Sequence, residues 1–215
     1  MRNSSCPLCF SQDHDAFFSN RDRDYLRCPL CHLVFVPPEQ FLSAEEEKDR
    51  YDSHRNSSDD PRYRLFLSRL FTPMQDRLDP GSCGLDFGSG PGPTLSVMFE
   101  EVGHTMSLYD PFYAPDQSAL ENKYDFITAT EVVEHLHQPE REFSRLWGCL
   151  KPGGFLGIMT KLVIDRDAFS CWHYIRDPTH VCFFSQETFT WLAQQWQAEL
   201  TFSGNDAIIM HKKKT

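Results

Sequence analysis

Leu85-Asp86-Phe87-Gly88-Ser89-Gly90-Pro91-Gly92 is the stretch on which the fold turns. It stands between an apolar run at 84–87, which predicts a strand, and a segment at 93–102 that predicts a helix. Glycines in such a turn let the backbone bend sharply and approach a ligand closely, and the following helix N-terminus favours an anionic group. Working outward, residues 105–109 read as a strand ending at Asp110, and residues 124–128 as another. A helix over 139–149 is stopped by Lys151-Pro152-Gly153-Gly154, and a strand at 155–159 follows. A helix over 186–196 and two strands at 199–203 and 207–212, joined by Gly204-Asn205-Asp206, complete the pattern. Upstream, Tyr63, Phe66, Leu67 and Leu70 recur at helical spacing and predict a helix over 62–78. Strands alternating with helices imply an α/β fold: a Rossmann-like, mostly parallel sheet with helices on both faces and a C-terminal antiparallel hairpin. Its ligand is expected over the carboxyl ends of the strands, with Asp110 where an acid accepts hydrogen bonds from ribose hydroxyls. A dinucleotide oxidoreductase shares these features. Against it stand Pro91 and Pro93 at the helix start, a GxGxG spacing, and a terminal hairpin in place of a second βαβ half.

Ahead of this domain, Cys6-Pro7-Leu8-Cys9 and Cys28-Pro29-Leu30-Cys31 form two CxxC pairs separated by eighteen residues. Two such knuckles facing each other close a tetrahedron of thiolates, so Cys6, Cys9, Cys28 and Cys31 are expected to hold a structural Zn2+. Rubredoxin-like iron is the alternative metal for the same ligands. Strands are expected around 16–18, 24–26 and 33–36, giving a zinc ribbon over 1–40 ended by Pro37-Pro38. A ribbon this short has almost no core of its own, so metal supplies most of its folding energy. The mixed charges of 41–61 read as a connector or a solvated face, leaving 62–215 as the larger domain. Cys83, Cys149, Cys171 and Cys182 stand singly and are expected to be buried small hydrophobes.

The 215 residues carry a net charge of −10, which disfavours phosphate backbones and anionic lipids as partners. No apolar stretch is long enough to span a bilayer and the N-terminus has no secretory pattern, so a cytoplasmic, reducing location is expected. Eighteen Phe predict an aromatic-rich core or pocket. The basic end at 211–215 is expected to be a solvated tail.

Three motifs in order resemble class I S-adenosylmethionine-dependent methyltransferases. Asp86-Phe87-Gly88-Ser89-Gly90-Pro91-Gly92 resembles the family's first motif. Tyr124-Asp125-Phe126-Ile127 with Glu131-Val132-Val133-Glu134-His135-Leu136 resembles its fourth-strand motif, and Leu150-Lys151-Pro152-Gly153-Gly154-Phe155-Leu156 the entry to its fifth strand. The CPLC pairs resemble the ribbon found on some bacterial members. The resemblance implies S-adenosylmethionine as cofactor, with Gly88, Gly90 and Gly92 against it and Asp86 helping to hold its methionine end. Asp110 would bind the ribose, Pro111 and Phe112 would follow it in the site, and Glu131 would line the floor. Glu134 and His135 divide between site and scaffold. Only fourteen residues separate Asp110 from Asp125, too few for the helix and third strand usual in the family. That edge of the sheet is therefore expected to be truncated, with Phe112 or Tyr113 covering the adenine.

An insertion at 167–184 falls at the carboxyl end of the sheet and is dense in titratable and aromatic groups. Methyl transfer needs an aligned nucleophile, exclusion of water and, for a poor nucleophile, removal of a proton. His173 and His180 are the candidate bases, Asp177 a candidate orienter, and Tyr174 or Arg176 candidate substrate contacts. No compact spacing makes a second zinc site from His173, His180 and a cysteine. The acceptor is unidentified. The acidic charge favours a small molecule, such as a sugar nucleotide, or a protein over RNA. The contrasting expectation is a non-catalytic ribbon adaptor that binds cofactor or a protein partner.

Overall fold

The computed structural model describes residues 5–52 and 57–214. The chain begins with strands β1 (Asp15–Ser19), β2 (Asp24–Arg27) and β3 (Val34–Phe35), followed by helices α1 (Ala44–Tyr51) and α2 (Pro61–Gln75). An alternating series follows: β4 (Cys83–Phe87), α3 (Thr94–Glu101), β5 (Thr105–Tyr109), β6 (Tyr124–Thr130), α4 (Pro139–Cys149) and β7 (Leu150–Met159). The last part holds α5 (Arg166–Ser170), β8 (Cys182–Phe183), α6 (Gln186–Trp196), β9 (Glu199–Ser203) and β10 (Ala207–His211).

The main sheet has the order β5-β4-β6-β7-β10-β9. Strands β5, β4, β6 and β7 run parallel, and β10 joins antiparallel to both β7 and β9. Alternation along β10 divides the core as a two-residue period requires. Ile208 and Met210 join the apolar cluster containing Phe143 and Leu146 of α4 and Phe189 and Leu192 of α6. Ala207 and Ile209 join Leu67, Leu70 and Met74 of α2 and Leu95, Met98 and Phe99 of α3. Gly157 allows α2 to lie close on the sheet, since a Cβ there would stand 2.8 Å from Met74 Sδ.

The sheet edge beyond β5 is truncated as the short spacing implies. Residues 111–123 supply one bridge, Asp110 to Ala114, and a 3-10 turn at Gln117–Glu121. The glycine loop, Asp110 and the turn after β6 thus gather at the carboxyl ends of the parallel strands.

Three expectations require correction. The charged segment 41–61 is not simply a linker: Ser43 caps α1 through a capping box with Glu46, and Glu47 on its inner face is buried. A mixed-charge sequence hides this because seven of the eight helical residues are not buried. The C-terminal basic residues are not all solvated, because Lys212 Nζ donates to the carbonyls of Trp147 (2.7 Å) and Leu150 (3.0 Å). Cys149 and Cys182 are buried as expected, whereas Cys83 and Cys171 are exposed.

The ribbon strands form a second sheet, β1-β2-β3-β8, whose last strand comes from the 167–184 insertion. Val34 pairs with Phe183 and Phe35 with Cys182. Tyr25, Leu33, Val34 and Phe35 belong to the same buried cluster as Phe169, Phe183 and Phe184. The aromatic richness of the sequence is spent largely here, where the Phe169 ring lies edge-on to Phe17, Tyr25 and Phe183 at 5.1–5.2 Å.

Candidate active site

A cavity of about 730 Å3 opens over the carboxyl ends of β4, β5 and β6, within the span usual for small-molecule sites. One end is made by the glycine loop and the end of β5. Gly90 has φ +62° and open space where a Cβ would stand, so the loop leaves room for a ligand against its backbone. Gly88, at φ +75°, meets a different demand: a Cβ there would lie 2.3 Å from Val132. Asp110 fixes the loop. Its Oδ2 accepts from Gly90 N (3.0 Å), and its Oδ1 accepts from Phe112 N (2.8 Å) and Tyr113 N (3.1 Å). Pro111, Phe112 and Tyr113 continue the wall.

Asp86 and Gly92 are not brought to this wall. The Asp86 carboxylate turns beneath the loop and accepts from Ser96 Oγ (3.0 Å) on α3 and Thr128 Oγ1 (2.9 Å) on β6. Its side chain alternates to the face covered by α3, as the strand period dictates. Burial pushes its pKa up to about 6, against the lowering effect of those two hydroxyls. Gly92 uses its carbonyl to accept from Thr94 N (2.7 Å) at the start of α3.

The floor is the turn after β6. Glu131 adopts φ +53°, a left-handed conformation that a residue with a Cβ adopts only under constraint. Burial and the neighbouring Glu134 charge push its carboxyl up to about 8. Three side-chain atoms here are buried with no hydrogen-bond partner: Ser89 Oγ, Thr130 Oγ1 and Glu131 Oε1. All three residues line the cavity. Buried polar atoms are normally satisfied, so three unsatisfied ones on residues lining one cavity make it the candidate ligand site.

The other end holds Glu134, His135, Asp177 and His180. Glu134 is fully buried, accepts from Thr160 Oγ1 (3.0 Å) and from the Tyr174 hydroxyl, and is pushed up to about 7 by burial. The His135 and His180 rings lie edge-to-face with centroids 4.6 Å apart. Asp177 Oδ1 accepts from Thr179 Oγ1 (2.7 Å) and Thr179 N (3.0 Å). Burial opposes its ionisation, but those bonds and the nearby His180 and His135 hold its pKa below the ordinary value.

Among the four residues first assigned to chemistry, His180 and Asp177 therefore reach the cavity, while His173 and Tyr174 do not. His173 is exposed, with Nε2 3.0 Å from Lys161 Nζ. Tyr174 packs behind the wall on Glu134, its ring 4.1 Å from that of His180. The 3-10 turn His173–Arg176 points these neighbours in different directions, which residue spacing in a loop does not reveal.

Two contributors carry no motif. Arg23, from the turn between β1 and β2, spends its guanidinium on four backbone carbonyls of the insertion: Ile175 (2.7 Å), Asp177 (2.9 Å), Pro178 (3.1 Å) and His180 (2.9 Å). Helix α1 supplies Glu47 and Tyr51 to the cavity wall. Glu47 accepts from His137 Nε2 at 2.8 Å, and the Tyr51 ring lies 5.7 Å from Phe112 and 5.4 Å from His135. In the N-terminal segment, Cys6 and Cys31 bring their sulfurs to 3.4 Å, as do Cys9 and Cys28. All four sulfurs lie within 4.8 Å of one another.

Comparison with known proteins agrees with this architecture. The profile of a methyltransferase-domain family matches residues 51–201, more than half of the chain. The chain belongs to that family. No curated protein matches it significantly in sequence. Among solved structures it is similar to 1,6-didemethyltoxoflavin-N1-methyltransferase from Burkholderia thailandensis, which was solved with 1,6-didemethyltoxoflavin and S-adenosylhomocysteine bound. The identity is 13%, over 91% of this chain and 98% of that one, with a TM-score of 0.51. It is also similar to an O-methyltransferase family protein from the same organism, at 14% identity over 79% of this chain and 63% of that one, with a TM-score of 0.50. At these identities the likeness speaks for the fold. Among the described residues no helix is long and apolar enough to cross a membrane.

Proposed function

We propose that the chain transfers a methyl group from S-adenosylmethionine to an acceptor held in the same cavity. The observation that carries this is that Ser89, Thr130 and Glu131, each with a buried side-chain oxygen lacking a partner, all line one cavity beside the glycine loop. The backbone at Gly88–Gly90 lies against the cofactor, and the second lone pair of Asp110 Oδ2 accepts a ribose hydroxyl. Phe112, Tyr113 and Tyr51 enclose the adenine where the usual sheet edge is missing, and Glu131 faces the amino-acid end. Asp86 acts from beneath by tying α3 and β6 to the loop. Bound there, S-adenosylmethionine supplies an electrophilic methyl group on a sulfonium sulfur. His180 and Asp177 line the acceptor side, where fixed polar groups can orient an incoming nucleophile.

Residues 1–40 are a zinc ribbon in this proposal, with 62–215 as the catalytic domain and the segment between them a working part of the wall. A Zn–S distance of about 2.3 Å makes the edge of a tetrahedron about 3.8 Å, which suits sulfurs 3.4 Å apart in pairs and all within 4.8 Å. A closed four-thiolate site has no open position, so the metal supports structure and not the reaction.

Calorimetric titration of the zinc-loaded chain with S-adenosylhomocysteine tests the cofactor assignment. Micromolar binding, weakened at least about tenfold in Asp110→Ala, is expected from the loss of a charge-assisted hydrogen bond. Absence of binding by the well-folded wild type would overturn it.

A further inference from the structure

We infer that Glu134, His135 and His180 form a binding site for a divalent first-row transition cation, open to the cavity and separate from the cysteine cluster. This deepens the proposed function and rests on it for the cation's role, because the site faces the acceptor end.

One ligand atom from each of the three residues lies within 4.8 Å of the other two. The residues come from two segments, the turn after β6 and the insertion before β8, so their meeting is not a consequence of local sequence. Their surroundings match what a metal-binding imidazole needs. His180 Nδ1 lies 2.8 Å from the Tyr174 carbonyl, and His135 Nδ1 lies 3.3 Å from the Thr179 carbonyl. A carbonyl only accepts, so in both rings Nδ1 carries a proton, which makes Nε2 the nitrogen through which each ring would ligate. Metal-ligating histidines are oriented in this way by outer hydrogen bonds. The Glu134 carboxylate is held as firmly, by Thr160 Oγ1 at 3.0 Å and by the Tyr174 hydroxyl. Tyr174 thus steadies two of the three ligands, one with its hydroxyl and one with its carbonyl.

Charge points the same way. Glu134 is 0% exposed, and among the described residues no Lys or Arg forms an ion pair with it. A buried carboxylate is normally paired with a cation or bound to a metal. Close by in the same turn, Glu131 Oε1 is buried without a partner. Two imidazoles and a carboxylate suit Mn2+, Fe2+, Co2+ or Zn2+, and three protein ligands leave coordination positions free. The three residues line the cavity, so the acceptor class indicated is one that offers an oxygen ligand, such as a hydroxyl, beside the methyl donor.

Mn2+ is the discriminating probe, because a thiolate site favours softer metals and the zinc-filled ribbon does not compete for it. The full zinc-loaded chain is titrated with Mn2+ and the free-ion signal followed by electron paramagnetic resonance. One equivalent per chain is expected, with affinity weakened at least about tenfold in His135→Gln and in His180→Gln and unchanged in His173→Ala. Circular dichroism of each variant checks the fold. If His180→Gln does not fold, the half-buried His135→Gln decides alone. Absence of Mn2+ binding by the wild type, or binding indifferent to both substitutions, would overturn the site. S-Adenosylhomocysteine titrated in parallel keeps the two ideas apart: its failure to bind while Mn2+ still answers to His135 removes the methyltransferase proposal and leaves the cation site.

Discussion

The two ends of the cavity are built by different means. The glycine-loop end is local: Gly88, Gly90 and Asp110 lie within 23 consecutive residues, and backbone amides bonded to Asp110 hold it together. The histidine end is assembled from distant segments. Its loop is fastened by Arg23, about 150 residues away in sequence, at 2.7 Å from the Ile175 carbonyl. A site built on neighbours in the chain can persist when a remote module is lost, whereas one clamped by that module cannot. On the proposed reading, the N-terminal sheet therefore braces the histidine end through Arg23, while Asp110 holds the glycine loop.

Removing the metal breaks this comparison most severely. Chelation, or Cys28→Ser with Cys31→Ser, should loosen the N-terminal sheet, since metal binding couples to folding even though its strands also pack on the main core. Hydrogen exchange should then rise over 173–184, where β8 and the Arg23 contacts lie, while β4 and β5 stay protected. Equal loss of protection in both regions would show that the ends are not separable.

Arg23→Met is the finer version. Hydrogen bonds to a charged group contribute roughly 1.5–3 kcal/mol each in isolation, and the four are not additive. A local destabilisation of about 3 kcal/mol around 175–180 is expected, measured by native-state hydrogen exchange, with the thiolate site still filled. No change in that segment would mean that β-pairing alone holds it.

Asp86→Asn probes the cofactor end through pH. The wild-type carboxyl titrates near 6 in the fold because burial opposes its ionisation, against about 3.9 when unfolded. Its neutral form is therefore favoured by folding. That stability is fully present below the unfolded pKa and is lost as pH rises through about 6. At pH 8 the asparagine variant should be more stable than wild type by up to about 3 kcal/mol, and at pH 4 nearly equal to it. Denaturant melts across that range give the difference, and a constant difference would contradict the assignment. Gly90→Ala should have the smallest effect, about 1 kcal/mol, from the strain of φ +62° in a position with free space.

The same contrast decides what the sequence discloses. The glycine turn, the strand ending at Asp110, the shortened edge after it and the paired CPLC knuckles are patterns of neighbouring residues, and the fold reproduces them. Arg23 looks like one more solvated charge in Asn20-Arg21-Asp22-Arg23, and nothing near it hints at carbonyls beyond residue 174. Glu47 sits in an acidic run whose other members are exposed. In the insertion, the spacing of His173, Tyr174, Asp177 and His180 says that they are near one another but not which way each turns. A tight 3-10 turn sends Tyr174 inward and leaves His173 in solvent. Asp86 stands in the glycine motif, but the motif does not say that its carboxylate turns beneath the loop to Ser96 of α3 and Thr128 of β6.

Hydrogen exchange of the zinc-loaded chain with and without saturating S-adenosylhomocysteine tests the central claim most directly. The account predicts new protection at 88–91, 109–113 and 130–132, with little change in the ribbon strands. Absence of protection at the glycine loop, or protection confined to the ribbon, would contradict it.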